Sequence, residues 1–138
     1  CATCHGAGAQ GFTGYPNLND DVWLWGGSFN DIRTTLLYGI RSDHAETRYS
    51  QMPAYGADGL LSREQIRNVR DYVLSLSGGT GFDAAALNAG AEVFASQCAT
   101  CHGDNGMGDR SQGAPNLTDA IWLYGGEAET AAEGAAGE

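Results

Sequence analysis

The hexapeptide Cys-Ala-Thr-Cys-His-Gly occurs twice in this chain, at residues 1–6 and again at 98–103. The two copies hold all four cysteines, Cys1, Cys4, Cys98 and Cys101, and a histidine, His5 or His102, follows each pair at once. Residues three and four apart share one face of a helix, so each copy presents two thiols and an imidazole to the same side. A single four-thiolate zinc site is a poor fit, because the pairs lie far apart and each carries its own histidine. A thioredoxin-like pair follows a strand, and no strand pattern precedes either copy. A disulfide from i to i+3 within one helical turn is strained. Thioether attachment of c-type haem needs this spacing: each thiol takes one vinyl group and the adjacent histidine reaches the iron. The chain is therefore expected to carry two haem c groups, anchored by Cys1, Cys4, Cys98 and Cys101, with His5 and His102 as iron ligands.

The similarity runs past the hexapeptide. GYPNLNDDVWLWGG at 14–27 aligns with GAPNLTDAIWLYGG at 113–126, and the second copy is two residues longer between the histidine and the proline. Self-similarity on this scale marks duplicated units. The Ser-Gly-Gly-Thr-Gly run at 77–81 is linker chemistry, which predicts domains at 1–78 and 79–138.

Within 138 residues each unit is very small, and with 21 glycines and many alanines its side chains make little core. A haem ring would supply the missing apolar volume. The net charge is −10, and the seven cationic side chains are all arginine. Nucleic acid and anionic membrane surfaces, which need clustered positive charge, are poor partners for it. No stretch approaches the roughly 20 apolar residues of a membrane span. A chain that starts on Cys1, inside a motif and with no initiating Met, reads as a fragment of a longer protein.

Apolar residues at helical spacing predict helices over 28–41 (Phe29, Ile32, Leu36, Ile40), 63–77 (Ile66, Val69, Tyr72, Val73, Leu76) and 83–101 (Leu87, Ala91, Phe94, Cys98). Ser28 is a candidate cap, and Ser62 with Gln65 a capping box. Helical turns are expected over 20–25 and 119–124. No run alternates with period two, so the fold class is all-α with glycine-rich loops.

Each iron needs a second ligand. Met52 stands in SQMPAYG, a loop stiffened by Pro53, between two predicted helices. A thioether there can close over the haem face opposite His5, and His/Met ligation raises the reduction potential. His44, in the polar stretch RSDHAETR, reads as a hydrogen-bonding side chain, with bis-histidine ligation as the alternative. Met107 follows His102 by five residues, too few to pass round the ring edge. The second site therefore lacks a distal ligand within this chain.

The stretch from Trp23 to Gly78, with its SQMPA context, resembles the first haem domain of the CcoP (FixP) subunits of cbb(3)-type cytochrome c oxidases. CHGDNGMGDRSQGAPNLTDAIWLYGG, at 101–126, is similar to the start of their second. The resemblance implies two tandem class I cytochrome c domains, both incomplete here. It implies His5 and Met52 on the first iron and His102 on the second, with the carbonyls of Pro16 and Pro115 receiving the histidine ring N–H. Trp23, Trp25, Trp122 and Tyr124 could line the haem or simply pack, and Arg41 and Arg48 could reach propionates or stay solvated. Class I domains pack a glycine- and aromatic-bearing N-terminal helix on an aromatic C-terminal one. The first unit has only the latter, with Tyr72, and the second only the former, with Gly90 and Phe94.

The function this implies is electron relay, without substrate chemistry, from donor cytochromes towards a membrane cytochrome c subunit and the haem-copper subunit that reduces oxygen. Its place would be the periplasmic side of the bacterial inner membrane, with attachment through segments outside this chain. The alternatives are a soluble dihaem cytochrome c, the cytochrome subunit of a dehydrogenase, and a dihaem peroxidase, which needs an open distal position.

Overall fold

A computed structural model of the chain describes residues 1–125, so the last part of the second predicted domain, from 126 on, lies outside the described residues. The described residues form five α-helices in order: α1 (Ala2–His5), α2 (Phe29–Tyr38), α3 (Arg63–Leu76), α4 (Ala84–Val93) and α5 (Ala99–His102). Among the described residues β structure is limited to isolated bridges. Among the described residues no helix is long and apolar enough to cross a membrane.

Local chemistry sets the helix starts. At α2 the Ser28 side chain accepts from the Asp31 N–H, while the Asp31 carboxylate accepts from the Ser28 N–H. The Ser28 hydroxyl also holds the Asp31 carboxyl below its usual range. At α3 the Gln65 N–H donates to Ser62 Oγ at 3.2 Å, and Gln65 Oε1 accepts from the Ser62 N–H at 2.9 Å. Asp83 caps α4 by accepting from the N–H groups of Ala85 and Ala86. Replacing Ser62 by alanine removes one of these bonds and frees an orphan N–H. Thermal or urea unfolding is expected to show a loss of about 1 kcal/mol.

The expected single helix over 83–101 forms, and extends to His102, but with a change of winding. Phe94–Cys98 is a π-helical turn, closed by the Ala99 N–H bonding back to the Phe94 carbonyl. Ser96 Oγ donates to the carbonyls of Glu92 and Val93 at 3.0 and 3.1 Å, drawing on acceptors of the preceding turn. The extra residue rotates the second Cys-x-x-Cys-His relative to α4.

Two local expectations differ from the structure. Residues 20–25 and 119–124 are bends and turns rather than helix. Asp20 and Asp119 each take the N–H two residues on, at 3.0 Å, and this side-chain bond diverts the backbone before a helix can start. Helix α2 stops at Tyr38, short of the expected Arg41, because Gly39 (φ 74°) and Arg41 (φ 53°) are left-handed. Two residues of its apolar stripe are exposed, Phe29 by 81% and Leu36 by 74%, while Ile32 is half-buried.

The packed centre is the pair α3 and α4, joined by residues 77–83. Leu61, Leu74, Val93 and Phe94 are its buried apolar side chains. Tyr72 and Phe94 lie 5.4 Å apart at 55°. Gly90 lets the helices touch: a Cβ there would run into the Asn68 carbonyl and stand 2.8 Å from Tyr72 Cβ. The aromatic helix of the first repeat and the glycine-bearing helix of the second therefore pair with each other.

Other contacts also cross between repeats, and they are reciprocal. The Gly14 N–H donates to the Leu123 carbonyl at 2.7 Å, and Gly14 faces the Tyr124 ring. The aligned glycine, Gly113, faces the ring of Trp25, which aligns with Tyr124. Arg110 Nη2 donates to the Asp21 carbonyl at 3.4 Å. In the glycine–aromatic pairs, Gly14 with Tyr124 and Gly113 with Trp25, equivalent positions of the two repeats face each other.

Candidate haem sites

The two motifs adopt one geometry. Cys1, Cys4 and His5 lie on α1 or at its cap, and Cys98, Cys101 and His102 on the turn that ends in α5. Each helix stops at a left-handed glycine, Gly6 (φ 86°) or Gly103 (φ 77°). All four cysteines are free thiols, Cys1 and Cys4 exposed, Cys98 and Cys101 half-buried. Burial pushes the Cys98 thiol up, with a further push from Cys101. The two pairs do not converge: among the described residues no group of three or more His, Cys, Asp or Glu is placed to hold a metal ion.

The histidines are aimed by the loops that follow them. His5 Nδ1 lies 2.8 Å from the Pro16 carbonyl oxygen, and His102 Nδ1 lies 3.0 Å from that of Pro115. A carbonyl only accepts, so Nδ1 carries the proton and Nε2 is the free ligand atom. The carbonyls are reached over 11 residues in one repeat and 13 in the other. The difference is absorbed in the turn tip, where Phe12 bridges Tyr15 in the first and Asp109 bridges Ala114 in the second. The rest of each loop is shared: Gly11 N–H to the His5 carbonyl at 2.8 Å and Gly108 N–H to that of His102 at 2.7 Å, then Leu18 N–H to Ala9 and Leu117 N–H to Gly106.

Two residues essential to this geometry were not singled out by the sequence reading. Gly11 (φ 75°) and Gly108 (φ 80°) lie against the proline segment. A Cβ on Gly11 would stand 2.6 Å from the Tyr15 carbonyl oxygen, and one on Gly108 would strike that of Ala114. Their common distance from His5 and His102 was a legible signal.

The remaining candidates lie as follows. Met52 is 70% exposed in the loop before α3. Tyr55, three residues on, donates its hydroxyl to the Gln97 carbonyl at 2.7 Å, tying that loop to the second motif. Tyr55 is itself pushed up by burial, and then by Cys98 and Cys101. His44 is stacked on Tyr38 at 4.6 Å, and its Nδ1 accepts from the Glu46 N–H. Met107 is 62% exposed, with its N–H bonded to Asn105 Oδ1. Trp23 covers Gly27, and Arg41 Nη1 donates to the Ser50 carbonyl at 3.2 Å. Both motifs fit a covalent haem: paired free thiols stand beside an imidazole whose Nε2 has no hydrogen-bond partner among the described residues.

A family model for cytochrome c matches residues 1–77 and 87–137. The chain belongs to the cytochrome c family. This cytochrome is 57% identical over 136 residues to the cbb3-type cytochrome c oxidase subunit FixP of Bradyrhizobium sp. (strain ORS 278), covering 96% of its own length and 46% of the relative's. It is 57% identical over 134 residues to subunit CcoP of Cereibacter sphaeroides, with the same coverage. To subunit FixP of Azorhizobium caulinodans it is 54% identical over 130 residues, covering 94% and 44%. The cytochrome thus spans about half the length of the curated relatives it matches. Its cofactor is covalently bound haem c, and the all-α architecture is that of tandem cytochrome c units.

Proposed function

We propose that this cytochrome carries two haem c groups and is the electron-relaying part of a CcoP/FixP-type subunit of a cbb3 oxidase. The observation that carries the reading is the doubled site: two Cys-x-x-Cys-His turns, each with its histidine held through Nδ1 by a proline carbonyl. Similarity to the FixP and CcoP subunits supports the oxidase assignment. Its partners are then donor cytochromes on one side, and the membrane cytochrome c and haem-copper subunits on the other, at the periplasmic face of the bacterial inner membrane.

The haem supplies one-electron iron redox chemistry. Cys1 with Cys4, and Cys98 with Cys101, would anchor it, and His5 and His102 would each supply Nε2 as an iron ligand. The Nδ1 bonds to Pro16 and Pro115 fix the tautomer and make each imidazole a stronger donor. Met52 would be the second ligand of the haem that His5 holds, and a haem so filled would move electrons rather than activate oxygen.

Matured with an export-side haem-attachment system, the protein is expected to show two haems per chain in a pyridine haemochrome assay, and one after Cys98→Ser/Cys101→Ser. In the assembled oxidase the same substitution is expected to cut oxygen consumption driven by a donor cytochrome by at least tenfold. Undiminished consumption would overturn the relay role, and hydrogen peroxide turnover by the full protein would favour the peroxidase alternative.

A further inference from the structure

The two repeats differ in the turn that follows each motif. The first has only Phe12-Thr13 between Gly11 and Gly14, where the second has Asp109-Arg110-Ser111-Gln112 between Gly108 and Gly113. The longer turn lays polar groups on the second motif. Cys101 Sγ donates to Gln112 Oε1 at 3.3 Å, and Gln112 Nε2 donates to the Thr100 carbonyl at 3.2 Å and to Asp109 Oδ2 at 3.3 Å. Both partners of Nε2 only accept, so they fix which way the amide points. Oε1 therefore faces the sulfur whether or not that sulfur carries a proton, and the arrangement does not depend on the thiol being free.

Asp109 is itself held in place. Its Oδ1 accepts from the Ser111 N–H at 2.8 Å and from the Ser111 hydroxyl at 2.7 Å. That hydroxyl keeps the carboxyl below its usual range, so it is an anion at neutral pH. The adjacent cation, Arg110, is turned elsewhere, its guanidinium donating to the Asp21 carbonyl at 3.4 Å. An amide oxygen thus stands beside Cys101 with a carboxylate behind it. In the first repeat Cys4 is exposed, and Phe12 and Thr13 bring no charge to it. A thioether sulfur is bonded directly to a haem side carbon. Reduction adds one electron to ring and iron, and a fixed negative charge or dipole end alongside opposes that addition.

We propose that the turn at 109–112 lowers the reduction potential of the haem on Cys98 and Cys101, with Gln112 Oε1 set beside the Cys101 sulfur and the Asp109 carboxylate backing it. The first repeat has no counterpart, so the turn makes the two haems unequal by charge, apart from any difference in their axial ligands. The proposal rests on the haem reading above and names what tunes one of its two sites.

The test is a redox titration of the haem-loaded protein at neutral pH, with the second haem's wave identified in the Cys1→Ser/Cys4→Ser background. Gln112→Leu removes the dipole at similar bulk, and Asp109→Asn removes the charge. Each is expected to raise the reduction equilibrium constant of the second haem severalfold, where tenfold is about 59 mV for one electron, and to leave the first haem unchanged. Gln112→Glu sets a further carboxylate at the same place and is expected to lower it. A role in packing alone would move Gln112→Leu and Gln112→Glu in the same direction, so opposite signs are the signature of charge. Shifts of the same sign in that pair overturn the proposal, as do potentials in Gln112→Leu and Asp109→Asn that coincide with that of the unaltered protein. Should the Gln112 variants fail to hold their second haem, an unmoved potential in Asp109→Asn overturns it equally. Haem content by pyridine haemochrome keeps the two readings apart. Fewer than two haems on the unaltered protein refutes the haem reading, whereas two haems with unmoved potentials refutes the tuning alone.

Discussion

Met52→Ala is expected to abolish the weak far-red absorption band of a methionine sulfur on ferric haem, and to lower the midpoint potential of one haem by on the order of 0.1 V or more, within the roughly 0.8 V that axial ligation spans. A thioether is a soft ligand that favours ferrous over ferric iron, so its loss stabilises the oxidised state. Met52 is suited to the role because it is 70% exposed, carried in a proline-stiffened loop rather than committed to a helix core. The single-haem variants decide which iron it serves. If Met52 pairs with His5, the band persists in Cys98→Ser/Cys101→Ser and disappears in Cys1→Ser/Cys4→Ser. The reverse pattern would assign it to the second haem, to whose motif Tyr55 ties the same loop. A spectrum unchanged by Met52→Ala would remove Met52 from the ligand set.

The second large effect is expected at Gly90, where the sign of the change carries the information. At an exposed helical position Gly→Ala stabilises by roughly 1 kcal/mol through helix propensity. At Gly90 the new methyl would meet the Asn68 carbonyl and stand 2.8 Å from Tyr72 Cβ. Backbone cannot yield as a flexible side chain does, so α3 and α4 must separate and loosen Tyr72 on Phe94. Gly90→Ala is expected to destabilise by about 1–3 kcal/mol, and Gly90→Val by more. Urea unfolding of the haem-loaded protein reads both. Stabilisation by Gly90→Ala would mean that this helix crossing is absent in solution.

Much of the structure was legible locally. The cap at Ser28, the capping box at Ser62 and the stripes of α3 and α4 are short-range features, and the helices begin where those residues stand. The helix expected over 83–101 was right in extent but silent on its π turn, which changes winding without changing composition. The turns at 20–25 and 119–124 looked helical because the apolar spacing there is helical, but the aspartate side chains win the competition for backbone N–H groups. For α2 the periodicity predicted a helix, and Phe29 and Leu36 on its stripe are exposed, since a stripe specifies a face and not what covers it.

The sequence by itself determined the chemistry of this cytochrome. Cysteines three residues apart with a histidine next to the second are a covalent-haem signature wherever they stand, because helical geometry makes neighbours of those side chains. The tertiary structure alone decided how the repeats meet. That α3 of one packs on α4 of the other, that Trp25 and Tyr124 face the other repeat's glycine, and that Tyr55 donates to the Gln97 carbonyl all depend on residues far apart in the chain. No local pattern encodes them. They follow from which apolar faces and close-approach glycines find each other once the chain has closed its long loops, and that is settled by packing rather than by spacing.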